Sequence, residues 1–409
     1  MTTADADYDH HRPVSEWAPD RTHAELRARC PVAFTEHHGG YWVVTSYAQV
    51  SRCGHRDDEF TTDHDLEGTG RGREFAGIAI PAQSVYRSLP SEVDGLAHLG
   101  YRRLLQPALA PAASALWAER ARVWAEGCVD AHVETGRIDL VLDVANPVPA
   151  MVTLALVGLP AGEWKRYAEP LHTLVFTEPT SEARAGLLVT IAELRARLAD
   201  LVAERRIRPA DDLASAVTAS EIDGRPVPDI DAVNLLFTVI SGGVDTTTAL
   251  VANALVWLGD HPDVRTRLIE DPALRASARE EFLRVFSPAP ATARTAAQTV
   301  DVGGRTIAVG SRVLLSWTAA NRDPSVFADP DSVDVARPNN RHVAFGAGPH
   351  RCIGAPLARS TFDAIIDVVL DRIPDYTVDR SAASRYARVG AVNGWVSIPA
   401  TFTPRPRRS

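Results

Sequence analysis

The 409-residue sequence has little of what marks secreted, membrane-spanning or zinc-ribbon proteins. Its four cysteines, Cys30, Cys53, Cys128 and Cys352, form no Cys-x-x-Cys pair, which argues against a disulfide framework and a structural zinc site. The first 17 residues lack the cationic start and apolar core of a signal peptide. No uninterrupted apolar run reaches the about 20 residues that cross a bilayer. We therefore expect a cytoplasmic protein that does not use a membrane.

An excess of positive charge is also missing. The chain has 43 Lys+Arg against 52 Asp+Glu, a formal net charge of −9, and its only lysine is Lys165. Nucleic-acid binding relies on clustered positive charge, so this balance argues against a nucleic-acid partner. The 45% hydrophobic and 23% charged residues are typical of an ordinary folded chain, which excludes wholesale disorder.

Apolar residues recur at three-to-four spacing along most of the chain, which predicts helices. Short alternating segments that predict strands are fewer and lie towards the two ends. The predicted helices are 22–29, 99–106, 112–135, 181–206, 231–259, 263–270, 273–286 and 355–372, and the predicted strands are 40–45, 299–302, 306–309, 312–316 and 394–402. No repeat or Gly/Ser linker divides residues 1–409. We expect one mainly α domain with small β-sheets, in which residues 1 to about 20 are an N-terminal extension.

The segment 58–94 mixes glycine, aspartate and proline and has no helical pattern. Structureless segments of this length within a compact domain are usually functional or disordered. We favour a functional loop that covers a pocket.

The sharpest motif surrounds Cys352. Two glycines precede it, a predicted helix follows it, and His350 and Arg351 stand beside it. Backbone N–H groups at a helix N-terminus and positive charge both favour a thiolate, which is a strong metal ligand. Gly354 lets the backbone approach the sulfur, so that a flat macrocycle can lie close above it. The simpler alternative is an inert buried cysteine, and we assign the other three cysteines to that class.

The segment Phe345-Gly-Ala-Gly-Pro-His-Arg-Cys-Ile-Gly354 resembles the haem-binding signature of the cytochrome P450 family. The resemblance implies that Cys352 ligates the iron of haem b through its thiolate. It also implies that Phe345, Gly346 and Gly354 belong to the cofactor-binding loop.

A second motif lies in the middle of the long predicted helix 231–259. Two glycines and three threonines in 241–248 weaken the helix locally. One interpretation is close helix packing, with hydroxyls bonded to the preceding turn. The other is a widened turn that leaves room for dioxygen and water. Gly242 to Thr247 is similar to the family's central-helix motif, which implies that Asp245 and Thr246 take part in proton delivery to dioxygen.

Haem carries two propionates, whose burial requires cationic partners. His98 and Arg102 lie one helical turn apart and resemble the family's His-x-x-x-Arg element. Arg294 and His350 match two further propionate contacts. Each side chain taken alone fits a solvated surface charge, whereas four matches in the expected order favour cofactor binding.

Glu281 and Arg284 lie three apart on one predicted helix face. By itself this is an ordinary surface ion pair. It resembles the family's Glu-x-x-Arg element, which implies a buried structural network with Arg337 as the third member.

The resemblance covers residues 40–402 and implies the triangular, single-domain cytochrome P450 fold. It implies a haem-thiolate monooxygenase that inserts one oxygen atom from O₂ into a small-molecule substrate. Electrons are then expected from a ferredoxin and a ferredoxin reductase. The ferredoxin is expected to dock near Cys352 on a basic patch of Arg103, Arg351 and Arg359.

A mainly apolar or aromatic substrate, and a place in specialised metabolism, fit this resemblance best. Substrate contacts are expected from segments 58–94, 288–292 and 390–395 and from the central helix. The individual candidates are Phe237, Ile240, Gly242, Ala289, Ala291 and Val392. Oxidative coupling, cyclisation or desaturation remain alternatives within the family, and a non-catalytic haem-thiolate sensor is an alternative outside catalysis. The Asp245-Thr246 pair disfavours the sensor, which has no need to deliver protons.

Overall fold

The computed structural model describes residues 5–16, 18–64, 76–82, 86–178 and 181–407. Most of these residues lie in helices, as the apolar spacing predicts. The α-helices are α1 Pro19–Arg29, α2 Tyr47–His55, α3 Gly95–Leu109, α4 Pro111–Asp130, α5 Pro147–Val157, α6 Trp164–Phe176, α7 Glu182–Ile207, α8 Leu213–Thr218, α9 Asp229–Asp260, α10 Pro262–Glu270, α11 Arg275–Phe286, α12 Trp317–Asn321 and α13 Ala355–Arg372.

The strands are short and form small sheets. They are β1 Val32–Thr35, β2 Tyr41–Val44, β3 Phe60–Thr61, β4 Arg137–Asp139, β5 Glu221–Ile222, β6 Arg225–Pro226, β7 Ala291–Ala296, β8 Val300–Val302, β9 Arg305–Ile307, β10 Arg312–Ser316, β11 Thr377–Val378, β12 Ser384–Arg385, β13 Trp395–Ser397 and β14 Pro399–Thr401. The largest sheet has the order β1-β2-β10-β7-β3, so it joins strands that are distant in sequence. In it β2 runs parallel to β10, and β10 runs antiparallel to β7.

Helix α9 crosses the core and contacts α5, α7, α11 and α13. Its second half is buried on nearly all sides, as expected of a helix that is apolar all round. Asp229 and Asp231 stand in its first turn, where acidic groups favour the helix dipole. The helix ends at Asp260, because His261 precedes Pro262 and a residue before proline disfavours helical geometry.

Two helical segments are long and apolar enough, by length and composition alone, to span a membrane. They are Leu140–Val157 and Asp229–Asp260, and 78% and 67% of their most apolar 18-residue windows are buried inside the fold. Apolar helical segments whose residues are mostly buried inside the fold are typical of core helices.

Five helices, α2, α5, α6, α8 and α12, were not among the predicted ones, and α8 and α12 have only six and five residues. Helix α5 is buried on almost every face, so it has no apolar period to detect. Helix α6 contains Pro170, and α2 is only nine residues long. The predicted helix 112–135 was too long, because α4 ends at Asp130 and a turn leads to Gly136, which has a φ of +66°.

The described N-terminal residues pack onto the domain. Tyr8 is buried, the backbone N–H of Asp5 donates to the Phe34 carbonyl at 2.8 Å, and Nε2 of His11 lies 2.8 Å from the Ile80 carbonyl oxygen. The segment that was expected as an extension therefore lies against β1 and the loop 76–81.

Glu281 and Arg284 form a buried network, as expected, rather than a surface pair. Both side chains are 0% exposed, and the Glu281 carboxylate accepts from Nε and Nη2 of Arg284 at 2.8 and 2.7 Å. Arg337 Nε donates to the same carboxylate at 3.0 Å, and Asn340 Nδ2 donates at 2.9 Å. The network fixes the segment that leads from α12 to the Cys352 loop.

Candidate functional site

An internal cavity lies between the Cys352 loop and the middle of α9. The loop side of its wall contains Phe345, Gly346, Cys352 and Gly354, and the helix side contains Gly242 and Thr246. Apolar side chains occupy much of the remaining wall, among them Ile78, Leu89, Val239, Leu250, Ala289 and Trp317. Among the described residues, no aspartate or glutamate lines this cavity.

The Cys352 loop bends where its glycines stand. Gly346 and Gly348 have φ values of +76° and +73°, which side chains disfavour. A Cβ on Gly348 would lie 2.0 Å from the Gly54 carbonyl oxygen, so this glycine also lets the loop pack on α2. The backbone N–H of Cys352 donates to the Phe345 carbonyl at 2.8 Å and closes the loop.

The Gly354 N–H and the neighbouring arginines favour the Cys352 thiolate, as expected, but in the protein alone burial has the larger and opposite effect. Burial raises the pKa of the Cys352 thiol, and this outweighs the opposing effects of the Gly354 N–H and of Arg102, Arg351 and Arg359. The helix that follows begins at Ala355 and has Gly354 as its N-cap. Metal coordination deprotonates a thiol outright, so the metal itself supplies the missing stabilisation.

The predicted cations meet at one part of the cavity wall. His98, Arg102, Arg294 and His350 all line it. Arg294 is 4% exposed, and its Nη1 donates to the Ala293 carbonyl at 2.8 Å. Burial lowers the pKa of Arg294 to about 10. Within the described ranges, neither Arg294 nor Arg102 has a carboxylate within ion-pair distance.

The two histidines of this group interact with each other. The rings of His98 and His350 lie 4.1 Å apart, and burial, followed by the charges of His350 and Arg102, lowers the pKa of His98 to about 4. Nε2 of His350 donates to Asp94 Oδ1 at 2.9 Å. Asp94 was not predicted as part of the site. Its contact depends on the folding of α3 against the Cys352 loop, which no local spacing reveals.

These residues fit haem b. Buried Arg294 and half-buried Arg102 lack carboxylate partners among the described residues, and the haem propionates would supply the anionic groups that they need. The Cys352 sulfur is accessible from the cavity and would face the iron. A Cβ on Gly354 would lie in van der Waals contact with that sulfur, at 3.9 Å. Cys352 would be the one iron ligand that the protein supplies. The described residues hold no cluster of three or more His, Cys, Asp or Glu that could bind a metal.

The two glycines of α9 have different surroundings. A Cβ on Gly243 would lie 2.8 Å from Thr153 Oγ1, so Gly243 permits close packing of α5. A Cβ on Gly242 would meet nothing within 4 Å, and Gly242 lines the cavity. The packing interpretation thus describes Gly243, and the open-space interpretation describes Gly242. The expected widened turn is wrong, because α9 is α-helical throughout.

Thr246 and Asp245 point in different directions. Thr246 lines the cavity, and its Oγ1 donates to the Gly242 carbonyl at 2.8 Å. Asp245 is 2% exposed, lies outside the cavity wall, and has its Oδ1 2.9 Å from His172 Nδ1 on α6. Burial raises the pKa of the Asp245 carboxyl, and the His172 contact opposes this only in part.

The substrate candidates divide in the same way. Gly242 and Ala289 line the cavity, whereas the following four residues do not: Phe237, Ile240, Ala291 and Val392. Phe237 packs against Tyr86, with ring centroids 5.1 Å apart, and Ile240 is 0% exposed in the core. The described cavity wall therefore does not include these four positions. Bulk and apolarity, which suggested Phe237, Ile240 and Val392, mark core positions as readily as pocket positions. In segment 58–94, Thr62, Ile78 and Leu89 line the cavity, and residues 65–75 and 83–85 lie outside the described ranges.

The expected basic patch is smaller than the sequence indicates. Arg103 and Arg351 are exposed. Arg359 instead donates from Nε and Nη2 to Glu280 at 2.9 and 2.6 Å, and its guanidinium lies 4.6 Å from the Phe345 ring centroid. Arg359 therefore serves the fold of the Cys352 loop.

Among the described residues one cysteine faces the cavity, with cations at the cavity wall and a long helix opposite, and this arrangement is typical of haem-thiolate proteins. Comparisons with known proteins also indicate a haem-thiolate protein. Residues 182–373 match the family model for cytochrome P450. The chain is 28% identical to linalool 8-monooxygenase from Pseudomonas putida, over 96% of this chain and 97% of that protein. It is 31% identical to nocardicin C N-oxygenase from Nocardia uniformis, over 81% and 82%.

The fold is also similar to that of solved cytochrome P450 structures. The open form of cytochrome P450 EryK from S. erythraea superposes with a TM-score of 0.86 at 28% identity, covering 98% of this chain and 100% of that one. The chain belongs to the cytochrome P450 family and is a monooxygenase of that family, with its mainly helical single-domain fold. Members of this family bind haem b.

Proposed function

We propose that this protein inserts one oxygen atom from O₂ into a mainly apolar or aromatic small molecule. The observation that carries the proposal is the cavity itself, which has Cys352 on one wall and Gly242 and Thr246 on the opposite wall. When bound, haem b supplies the activation of dioxygen. Cys352 would hold the iron, and His98, Arg102, Arg294 and His350 would hold the propionates.

The lining indicates the substrate class. Away from the cations the described wall is formed by apolar groups and small hydroxyl side chains, including Ile78, Leu89, Thr238, Val239 and Ala289. A neutral substrate loses little solvation free energy when it binds against such a wall, whereas an anion or cation would be desolvated without a partner. The names of two relatives refer to linalool and nocardicin C, which supports a role in specialised metabolism.

We assign proton delivery to Thr246 and Asp245. The Thr246 hydroxyl donates to the Gly242 carbonyl, so its oxygen is left to accept a hydrogen bond inside the cavity. Positioned hydroxyl and carboxyl groups contribute about 10²–10⁴-fold to reactions that consume protons. Replacing Thr246 should therefore leave haem bound but divert electrons to hydrogen peroxide.

The test measures electron use, product and hydrogen peroxide together, with a surrogate ferredoxin and reductase and a substrate chosen from a panel by its shift of the haem spectrum. Thr246→Ala and Thr246→Val should lower the product formed per NADH, and Thr246→Ser should restore it because it keeps the hydroxyl. Equal coupling in all four proteins would remove Thr246 from this role.

Three alternative reactions would use the same site as oxygen insertion. Oxidative coupling, cyclisation and desaturation remove hydrogen without adding oxygen. Turnover under ¹⁸O₂ separates these outcomes, since only insertion leaves one labelled oxygen in the product. Unlabelled products that have lost hydrogen would favour the alternatives, and the absence of any turnover with bound substrates would favour a sensor.

We further propose a cytoplasmic enzyme reduced by a ferredoxin that docks at Arg103 and Arg351, the two exposed members of the basic patch. Arg103→Glu and Arg351→Glu should slow reduction by ferredoxin and weaken its dependence on salt, while leaving reduction by dithionite unchanged. Arg120→Glu on α4 is the matched exposed control. Unchanged ferredoxin reduction in both patch variants would exclude this surface.

A further inference from the structure

The loop 76–80 forms part of the cavity wall through Ile78 but has almost no regular structure of its own. Among the described residues, its one strand-like contact is an isolated bridge between Ala76 and His64. Backbone groups that are removed from water need hydrogen-bond partners, and a loop without a ladder takes them from other elements. The position of Ile78 therefore depends on groups outside the loop.

Arg312, the first residue of β10, binds three of the five carbonyls of this loop. Its Nη1 donates to the Gly77 carbonyl at 2.9 Å, and its Nη2 donates to the carbonyls of Ala76 and Ala79 at 3.2 and 2.6 Å. Nη1 also donates to Thr295 Oγ1 at 2.7 Å, across the β7–β10 pair. Both terminal nitrogens of the guanidinium thus use both of their hydrogens.

Other elements hold Ile78 directly. Its carbonyl accepts from the Ala293 N–H on β7 at 2.7 Å, and its N–H donates to Glu92 Oε1 at 3.2 Å. A Cβ on Gly77 would lie 2.0 Å from that carboxylate oxygen, so the glycine lets Glu92 reach the backbone. Ile78 is therefore held by its own N–H and carbonyl, while Arg312 holds the residues on both sides of it.

The guanidinium of Arg312 suits this task because of its shape and charge. The acceptors of Arg312 in the described part of the chain are neutral oxygens, and burial lowers its pKa to about 10. Hydrogen bonds from a charged donor are about twice as strong as neutral ones, and a guanidinium offers them in a fixed planar fork. A neutral or shorter side chain would hold the three carbonyls less firmly.

We propose that Arg312 is a positioning residue for the substrate wall, which holds residues 76–79 so that Ile78 lines the cavity and long apolar ligands bind tightly. Arg312 itself lies outside the described cavity wall. The inference rests on the proposed function above, which makes this cavity the binding site of an apolar molecule, and it adds a residue that acts on that site through another.

The test uses the haem-loaded protein and a series of 1-alkylimidazoles, from 1-methylimidazole to 1-dodecylimidazole, as probes. The imidazole nitrogen binds the iron in every member, whereas the alkyl chain samples the apolar wall. The shift of the Soret band gives the Kd without turnover. Each fully buried CH₂ group tightens binding about fourfold. In the wild-type protein the Kd should therefore fall as the chain lengthens, until the chain fills the cavity.

Ile78→Ala removes wall surface directly and should weaken binding of the long-chain probes by about tenfold, while the Kd of 1-methylimidazole stays unchanged. Arg312→Gln should produce the same selective loss, since the loop no longer holds Ile78 in place. The double variant should bind no more weakly than Ile78→Ala alone, because both changes act through one side chain. Haem content should stay at the wild-type level in all three variants.

Arg265→Gln is the matched control. Arg265 is a buried arginine whose Nη1, like that of Arg312, donates to a backbone carbonyl, here that of Tyr376 at 2.7 Å, and it lies outside the cavity wall. It should leave the Kd of every probe unchanged. If Arg312→Gln does not fold, Arg312→Lys keeps the charge without the planar fork and should show the same loss to a smaller degree.

Amide hydrogen exchange of the peptide that covers residues 76–82 gives a second readout. Exchange should be faster in Arg312→Gln than in the wild-type protein and unchanged in Arg265→Gln, because only the first variant releases the loop.

Long-chain binding that Ile78→Ala weakens and Arg312→Gln leaves intact would overturn the positioning role of Arg312. So would additive losses in the double variant, unchanged exchange of residues 76–82 in Arg312→Gln, or normal long-chain binding in Ile78→Ala. A wild-type Kd that does not depend on chain length would instead overturn the apolar substrate class proposed above.

Discussion

Replacing Arg294 with glutamine should affect the haem-free and haem-bound protein in opposite directions. Arg294 is 4% exposed, and burial lowers its pKa to about 10, against about 12.5 for an ordinary arginine. This difference corresponds to about 3 kcal/mol at about 1.4 kcal/mol per tenfold change in proton binding. At neutral pH, below both values, the folded haem-free protein bears the whole cost of the buried charge.

A haem propionate beside Arg294 would offset that cost. Arg294→Gln should therefore stabilise the haem-free protein by up to about 3 kcal/mol and speed haem loss from the holoenzyme by about 10²-fold. Urea unfolding of the haem-free protein and haem transfer to apomyoglobin measure the two effects. Arg312→Gln is the control, because burial also lowers the pKa of Arg312 to about 10 but Arg312 lies outside the cavity wall.

Unchanged haem transfer in Arg294→Gln, or loss as fast in Arg312→Gln, would refute the assignment of Arg294 to a propionate. A haem-free protein that is destabilised by Arg294→Gln would refute the desolvation argument instead.

Two further predictions concern stability. Glu281→Gln leaves the fully buried Arg284 without its counter-charge, so urea unfolding should show a loss of about 3–5 kcal/mol, whereas Arg122→Ala in an exposed pair should change the free energy of unfolding far less; similar losses would contradict the role of burial. Burial lowers the pKa of His23 to about 3. Between about pH 6.5 and 3 the unfolded chain therefore binds a proton at His23 that the folded chain does not bind. The free energy of unfolding should fall as the pH drops through this range. His23→Gln should flatten that dependence, and an unchanged slope would exclude His23 as its source.

The sequence predicted those parts of the site that lie close together along the chain. The Cys352 loop needs glycine at particular backbone angles, and Gly346 and Gly348 have them. The spacing of His98 and Arg102 places both on one face of α3, and both line the cavity. The apolar spacing along α9 predicted the bounds of the helix to within two residues at each end.

The rest depends on contacts between distant segments. Asp94 reaches His350 across 256 positions, and His172 and Tyr386 meet Asp245 from two other elements. Nothing near these residues in the sequence distinguishes them from ordinary polar positions. The bulky candidates Phe237 and Val392 lie in the core outside the cavity wall for a related reason, since an apolar side chain suits the core as well as a pocket and only the packed fold decides between them.

The bond between the Cys352 sulfur and haem iron can be tested directly with one spectrum. The purified protein is reduced with dithionite and exposed to carbon monoxide, and its Soret band is compared with that of Cys352→Ala. The wild-type protein should show the red-shifted band typical of thiolate ligation, and the variant should lack it. A wild-type spectrum typical of imidazole ligation in demonstrably folded protein, or an unchanged thiolate band in Cys352→Ala, would contradict the assignment.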